Sequence, residues 1–200
     1  MLRYLLDAFG GPAAPFMYAL LAILAFATAV SIERTITLMA CRVEVAGVLR
    51  RAEAAVREGV TPSWGTTPLE TVLEAGFAQA DPELGWEAMQ AAAVDAEQRV
   101  RRRIPYLAAV ASIATMVGLF GTVYGLIQAF GAMGGVAAAE RAARLSEGSS
   151  TAMAATAFGL FVAIPALAAH SALEAQARGL LAEIEATAGK VHVLRRGASR

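Results

Sequence analysis

Three stretches of this 200-residue chain contain no Asp, Glu, Lys or Arg: from Asp7 to Glu33, from Arg103 to Glu140 and from Glu147 to Glu174. Each exceeds the roughly 20 apolar residues that cross a hydrocarbon core as a helix. The expected spans are about Pro15 to Ile32, about Tyr106 to Phe130 and about Ala152 to Leu173. Barrel strands do not fit, because they alternate in polarity and are about half as long. The first run follows Arg3 and Asp7 and continues through Phe26 to Ile32, unlike the short core of a cleavable signal peptide, so it reads as a retained span.

Between the first two spans the pattern becomes amphipathic. Val45, Val48, Leu49 and Val56 recur at helical spacing, Thr61–Pro68 interrupts them, and Leu69, Val72 and Leu73 resume. Asp81-Pro82 predicts a helix start, with Asp as N-cap and Pro in the first turn. That helix is expected to run through Trp86, Met89, Ala93 and Val100 into the membrane, with a modest kink at Pro105. Leu173, Ala177, Leu180, Leu181 and Ile184 extend the third span as an amphipathic helix, and the chain is expected to fray from about Leu194. The pattern predicts an all-α integral membrane protein with three transmembrane helices and long cytoplasmic helical extensions. Residues 1–38 hold a short outer segment and span one, and 39–104 a cytoplasmic helical loop. Residues 105–173 hold spans two and three with a short outer loop, and 174–200 a cytoplasmic helix and tail.

Composition agrees with the bilayer: 57% hydrophobic and 17% charged residues, with a mean hydropathy of +0.53, depart from a soluble domain. Seventeen basic and seventeen acidic side chains cancel, so nothing recommends nucleic acid as a partner. Cys41 stands alone, and His170 and His192 are the two histidines, which argues against a metal site, a cofactor or an enzyme. The basic residues are asymmetric. Arg34, Arg42, Arg99, Arg101, Arg102, Arg103, Arg178, Lys190, Arg195 and Arg196 flank one side of the spans, and only Arg3, Arg141 and Arg144 flank the other. The positive-inside rule then puts the N-terminus outside and the loop and C-terminus in the cytoplasm.

Within span two, Thr115, Gly118, Thr122, Gly125 and Ala129 fall at steps of three and four, and Gly121 with Gly125 adds a GxxxG. Span three carries Ala152, Ala155, Thr156, Gly159, Ala163 and Ala166 in the same way. These small faces predict close helix packing within the chain or against a partner. Thr122 and Thr156 have two readings: hydroxyls that bond back to the preceding turn and fill space, or functional groups. Pro165 reads as a kink, and His170 as an interfacial side chain before a proton relay. Glu33 with Arg34 suits a local pair or snorkelling at the inner interface, and Trp64 and Trp86 lie outside any aromatic belt. No ionisable side chain occupies the middle of a span, so if the protein moves protons the titrating group must come from another chain.

At these residues the chain resembles the MotA/TolQ/ExbB family of inner-membrane proton-channel subunits, most closely its ExbB/TolQ branch. Gly118-Leu-Phe-Gly-Thr-Val-Tyr-Gly-Leu-Ile-Gln-Ala-Phe130 resembles the family's GLxGTVxGxxxAF signature, and Ala154-Ala-Thr-Ala-Phe-Gly-Leu-Phe-Val-Ala-Ile-Pro-Ala166 its third-span signature. Ile32-Glu-Arg34 is similar to the end of its first span. The resemblance implies a homo-oligomer, a pentamer, around single-span partners of ExbD/TolR type that supply a membrane aspartate. Thr122 and Thr156 would line its proton path, with Thr115 and Thr151 as further candidates for the path or its outer entrance. Gly118, Gly121, Gly125, Ala155, Gly159, Ala163 and Pro165 would shape the packing. The implied role is to couple the proton gradient to work on a periplasm-spanning partner, in biopolymer transport or envelope maintenance, from the bacterial inner membrane. Thr151 stands where many relatives carry a glutamate, Thr115 replaces a usual proline and Ser171 a usual asparagine. The alternative is a non-conducting oligomeric membrane scaffold.

Overall fold

The computed structural model describes residues 9–11, 13–41, 45–131, 134 and 138–198. Every regular element among them is a helix: α1 Ala14–Cys41, α2 Val45–Glu58, α3 Pro68–Phe77, α4 Pro82–Arg101, α5 Ile104–Gly131 and α6 Ala138–Ala198. The three apolar runs lie on α1, α5 and α6, each long and apolar enough to cross a bilayer, so this is an all-α, multi-pass membrane protein. Arg3, Asp7 and Arg42, used in the charge argument, lie outside the described residues.

The helices sort into two compact units: the described parts of Met1–Ile32 with Arg103–Ser171, and Glu33–Arg102 with the described parts of Ala172–Arg200. In the first, Met17 and Leu20 of α1, Leu107 and Ala114 of α5, and Ala152, Ala155 and Val162 of α6 are fully buried. Small side chains hold the buried seam because lipid offers no hydrophobic drive for helix association, and dispersion contacts require close backbones. Bulky Met116, Leu119, Phe120 and Ile127 of α5, and Met153, Phe161 and Ile164 of α6, stay exposed.

The second unit has an ordinary apolar core. Val48, Ala52, Leu69, Val72, Leu73, Met89, Ala96, Ile184, Ala188 and Val191 are buried, with Trp64 and Trp86 packed against them. Thr67 caps α3 by accepting from the Glu70 backbone N–H at 3.4 Å, and its hydroxyl donates to Glu70 Oε2 at 2.7 Å. Arg51 of α2 reaches the other oxygen of Glu70 at 2.7 Å. Asp81 caps α4, accepting from Glu83 N at 3.0 Å, with Pro82 in the first turn.

The helices depart from the expected course in three places. The chain does not kink at Pro105 but breaks just before it: α4 stops at Arg101, Arg102 is extended, and Arg103 turns with φ 67°. A continuous helix would drive the proline ring into the Arg101 carbonyl, whereas restarting at Ile104 puts Pro105 in a first turn that needs no N–H. The buried Arg34 takes the freed end, its Nη1 donating to the Arg102 carbonyl at 3.1 Å while Nη2 pairs with Glu33 at 2.9 Å. Secondly, α6 begins at Ala138, so Glu140 and Arg144, paired at 2.8 Å, lie on helix rather than in a short loop. Thirdly, the tail is not frayed at Leu194. The helix reaches Ala198 because Arg195 donates to the Gly76 carbonyl at 2.6 Å and to that of Gln79, and lies over the Phe77 ring at 5.1 Å. Arg195 thus adds a donor to the Gly76 carbonyl, which already accepts from the Gln79 backbone N–H at 3.3 Å, and supplies one to the Gln79 carbonyl just past the end of α3.

Candidate threonine seam between two spanning helices

In the first unit α5 and α6 approach closely at two glycines. A Cβ on Gly118 would stand 3.0 Å from the Ala155 carbonyl oxygen and 3.1 Å from the Gly159 Cα. One on Gly159 would stand 2.8 Å from the Ala114 oxygen and 3.0 Å from the Gly118 Cα. Only hydrogen fits at either position, and that contact sets the register of the two helices. Gly125 faces Ala152, and Gly121 faces Ala155 on α6 and Phe16 on α1. Phe16 also meets the rings of Phe120 and Tyr124 at 5.3 and 5.4 Å, so α1 joins the same assembly.

This register brings Thr122 and Thr156 together. Their Oγ1 atoms are hydrogen-bonded to each other, both side chains being half-buried. Thr122 Oγ1 also lies 3.0 Å from the Ala152 carbonyl oxygen and 3.3 Å from that of Gly118, and Thr156 Oγ1 lies 3.2 Å from Gly118 O. Each hydroxyl has one proton, so two protons serve this whole set. Either Thr122 donates to Thr156 and Thr156 to Gly118 O, or Thr156 donates to Thr122 and Thr122 to Ala152 O. Reversing the chain needs only rotation of two O–H bonds. Back-bonding is one of these contacts, from Thr122 to Gly118 O; Thr156 bonds across the seam instead, and Thr122 also reaches a carbonyl on α6.

The other candidates are dispersed. Ala155 and Ala163 are buried in the seam, whereas Pro165 is exposed and α6 runs through it. Thr115 is exposed and bonds back to the Ala111 carbonyl at 3.1 Å, the buried face passing instead through Ala114 and Gly121. Thr151 bonds back to Glu147 O at 2.6 Å. His170, near the end of the third apolar run, places Nδ1 3.1 Å from the Ile104 carbonyl oxygen. Among the described residues no group of three or more His, Cys, Asp or Glu side chains could hold a metal. The seam therefore offers hydroxyls, carbonyls and a close backbone contact, but no group of its own that holds a proton in mid-span.

A family model described as the MotA/TolQ/ExbB proton channel family matches residues 65–186. The chain is 34% identical over 128 residues to the Tol-Pal system protein TolQ of Pseudomonas aeruginosa, covering 56% of this chain and 54% of that protein. It is 43% identical over 76 residues to TolQ of Haemophilus influenzae, covering 38% and 33%. With the biopolymer transport protein ExbB of Neisseria gonorrhoeae it shares 37% identity over 102 residues, covering 48% and 44%. The chain spans between a third and about half the length of these relatives.

Proposed function

The chain belongs to the MotA/TolQ/ExbB proton channel family, in its ExbB/TolQ branch, and from that membership we propose that it is the channel subunit of an inner-membrane energy-transducing complex. The complex is of the kind to which Tol-Pal system and biopolymer transport proteins belong, and it couples the proton gradient to work on a partner in the periplasm. The observation that carries this reading is the invertible hydroxyl pair of Thr122 and Thr156, set in spans that contain no Asp, Glu, Lys or Arg. A hydroxyl pair can pass a hydrogen bond along, yet neither threonine can store the proton. The storing group is a carboxylate on a single-span partner of ExbD/TolR type, which intramembrane chemistry demands and this chain lacks. A ring of these chains, a pentamer by family resemblance, surrounds that partner. The exposed Met116, Leu119, Phe120 and Ile127 face lipid or a neighbouring subunit.

Proton flux into vesicles tests the reading, with the chain reconstituted alone and together with the ExbD/TolR-type chain of its own genome. Flux is expected only with the partner. Thr122→Val or Thr156→Val, nearly equal in shape, lowers it and leaves the oligomer intact. Rapid flux from the chain alone, or full flux from the double Val variant, refutes the proposal; full flux in neither vesicle supports the scaffold instead. The orientation proposed, N-terminus outside and C-terminus cytoplasmic, rests on the arginine asymmetry. In a Cys41→Ser background, an impermeant thiol reagent should label Ser146→Cys from outside and spare Ser63→Cys; the opposite pattern inverts the topology.

A further inference from the structure

A proton released near Thr122 and Thr156 must still reach the inner surface, and this deeper question rests on the channel reading above. From Ile104 to Gly131 and from Thr151 to Ser171 there is one Asp, Glu, Lys, Arg or His side chain, and it is His170. It lies fourteen residues after Thr156 on the same helix. At about 100° per residue this is roughly 40° short of four full turns, so the two share a side of α6 about 21 Å apart.

The hydrogen bond of His170 determines its chemistry. Nδ1 stands 3.1 Å from the Ile104 carbonyl oxygen, and a carbonyl only accepts, so Nδ1 carries the hydrogen and Nε2 is the basic nitrogen. The ring is anchored through one nitrogen while the other is left to take up a proton. The ring is half-buried, which keeps one side of it reachable.

On α5 two further hydroxyls lie between these points. Thr115 sits seven residues before Thr122, within roughly 20° of the same direction, and Ser112 three residues further on, roughly 60° further round the helix. Both are exposed, and their protons go to the carbonyls of Ala111 and Ala108 at 3.1 and 3.2 Å. Their oxygens therefore remain as acceptors that can hold water along this edge. The axial steps from Thr122 to Thr115, and from Ser112 to the level of Ile104, are about 10 and 12 Å, within reach of a few hydrogen-bonded waters.

We propose that His170 is the terminal proton carrier at the inner end of the path, loaded at Nε2 through water held along the Thr115 and Ser112 edge. In the transfer the last water gains a proton from the water behind it, the first having taken its proton from the partner's carboxyl, as one of its own O–H bonds breaks and the Nε2–H bond forms; the waters stay neutral and the ring becomes an imidazolium. That bond then breaks as solvent water takes the proton, and no electrons change hands. Threonine and serine cannot replace it, because they do not hold a proton at ordinary pH.

The test compares wild type, His170→Asn and His170→Gln, each full-length and reconstituted with the ExbD/TolR-type chain. Asn keeps an amide N–H close to the Nδ1 position, so the Ile104 contact survives while the titrating group is lost. Proton flux in the Asn variant is expected to fall by roughly tenfold or more, at or below the range measured for positioned proton-transfer groups. Imidazole supplied on the vesicle face that carries the C-terminal helix should restore most of it, and thermal stability should match wild type. Unchanged flux in both variants overturns the proposal. So does a loss that imidazole leaves unrepaired, since a purely structural histidine is not replaced by a mobile buffer. A wild-type complex without flux removes the channel reading and this inference with it.

Discussion

Exchanging glycine for alanine at two positions of α6 should change stability in opposite directions, because a methyl group meets close backbone at the buried Gly159 and open space at the exposed Gly179. At Gly159 the new Cβ stands 2.8 Å from the Ala114 carbonyl oxygen and 3.0 Å from the Gly118 Cα. Carbon contacts settle at about 3.5–4.0 Å, so α5 and α6 must separate by roughly half an ångström or more, and backbone atoms cannot swing aside as a side chain can. Overpacking of this kind costs about 1–3 kcal/mol, against at most about 1 kcal/mol recovered from alanine's higher helix propensity. At Gly179 a Cβ meets nothing within 4 Å, so only the propensity gain of up to about 1 kcal/mol remains. Unfolding in mixed micelles titrated with dodecyl sulfate should show Gly159→Ala destabilised and Gly179→Ala level or stabilised, a difference of about 2 kcal/mol. Gly159 is also one turn from Thr156, so separating the helices there weakens the hydroxyl pair. Gly159→Ala should therefore cost less in a Thr156→Val background than in wild type. Equal behaviour of the two alanine variants would mean that the glycines do not set the seam.

Arg195→Ala should destabilise the second unit by about 1–2 kcal/mol, the charge-assisted bonds to Gly76 and Gln79 being discounted for the partial exposure of the side chain. Arg195→Lys should recover only part of this, because an ammonium cannot span two carbonyls as the planar fork does; fluorescence of Trp64 and Trp86, both in that unit, reports the unfolding. The Thr67 hydroxyl, together with Arg51, holds the Glu70 carboxyl below its ordinary value against the opposing effect of burial. Its contribution is complete above the unfolded carboxylate's pKa of about 4.3 and is lost as pH falls through the lower folded value. Wild type should therefore lose stability on acidification below about pH 4 more steeply than Glu70→Gln, and parallel curves for the two would remove Glu70 from the acid response.

The three spans are legible in the sequence because membrane insertion is decided by composition over about 20 residues, and a gap in charge is a one-dimensional quantity. The capped starts of α3 and α4 are legible for a similar reason: Thr67-Pro68 and Asp81-Pro82 act within one turn. The meeting of Thr122 with Thr156 is a different matter. Spacing puts each on a helix edge beside small residues, but nothing in spacing sets α5 against α6 along their lengths. The contact of Gly118 with Gly159 does so, and a shift of one turn would part the hydroxyls by about 5 Å. Thr115 shows the limit of face-reading from the other side. It falls in the same three-and-four series as Gly118 and Thr122, yet the seam is narrow enough to pass through Ala114 and leave Thr115 exposed.

The break before Pro105 and the helix that continues past Leu194 share a physical cause, which is that the deciding partner is a main-chain carbonyl; the same is true of the placing of His170. Arg34 donates to Arg102 across 68 positions of sequence, His170 to Ile104 across 66, and Arg195 to Gly76 across 119. A carbonyl becomes an open acceptor only where a helix ends or an extra donor can reach its second lone pair, and helix ends are the least legible feature of a sequence. Pro105 illustrates the consequence. Read alone, it asks only whether water can satisfy one carbonyl, and a kinked continuous helix is the cheaper answer. With Arg34 buried beside the junction, stopping α4 at Arg101 leaves the Arg102 carbonyl with a charged donor, and the chain can restart with the proline where it costs nothing. Arg34 thus has a structural task beside the one proposed for it in topology. Arg34→Gln, which removes the charge but keeps an amide donor, should leave the proposed orientation unchanged, because the other arginines on that flank of the spans still outnumber those on the opposite flank. It should nevertheless loosen the Arg102–Arg103 junction, seen as faster amide hydrogen exchange at the C-terminal turn of α4. Unaltered exchange there would show that Pro105 alone suffices to break the helix.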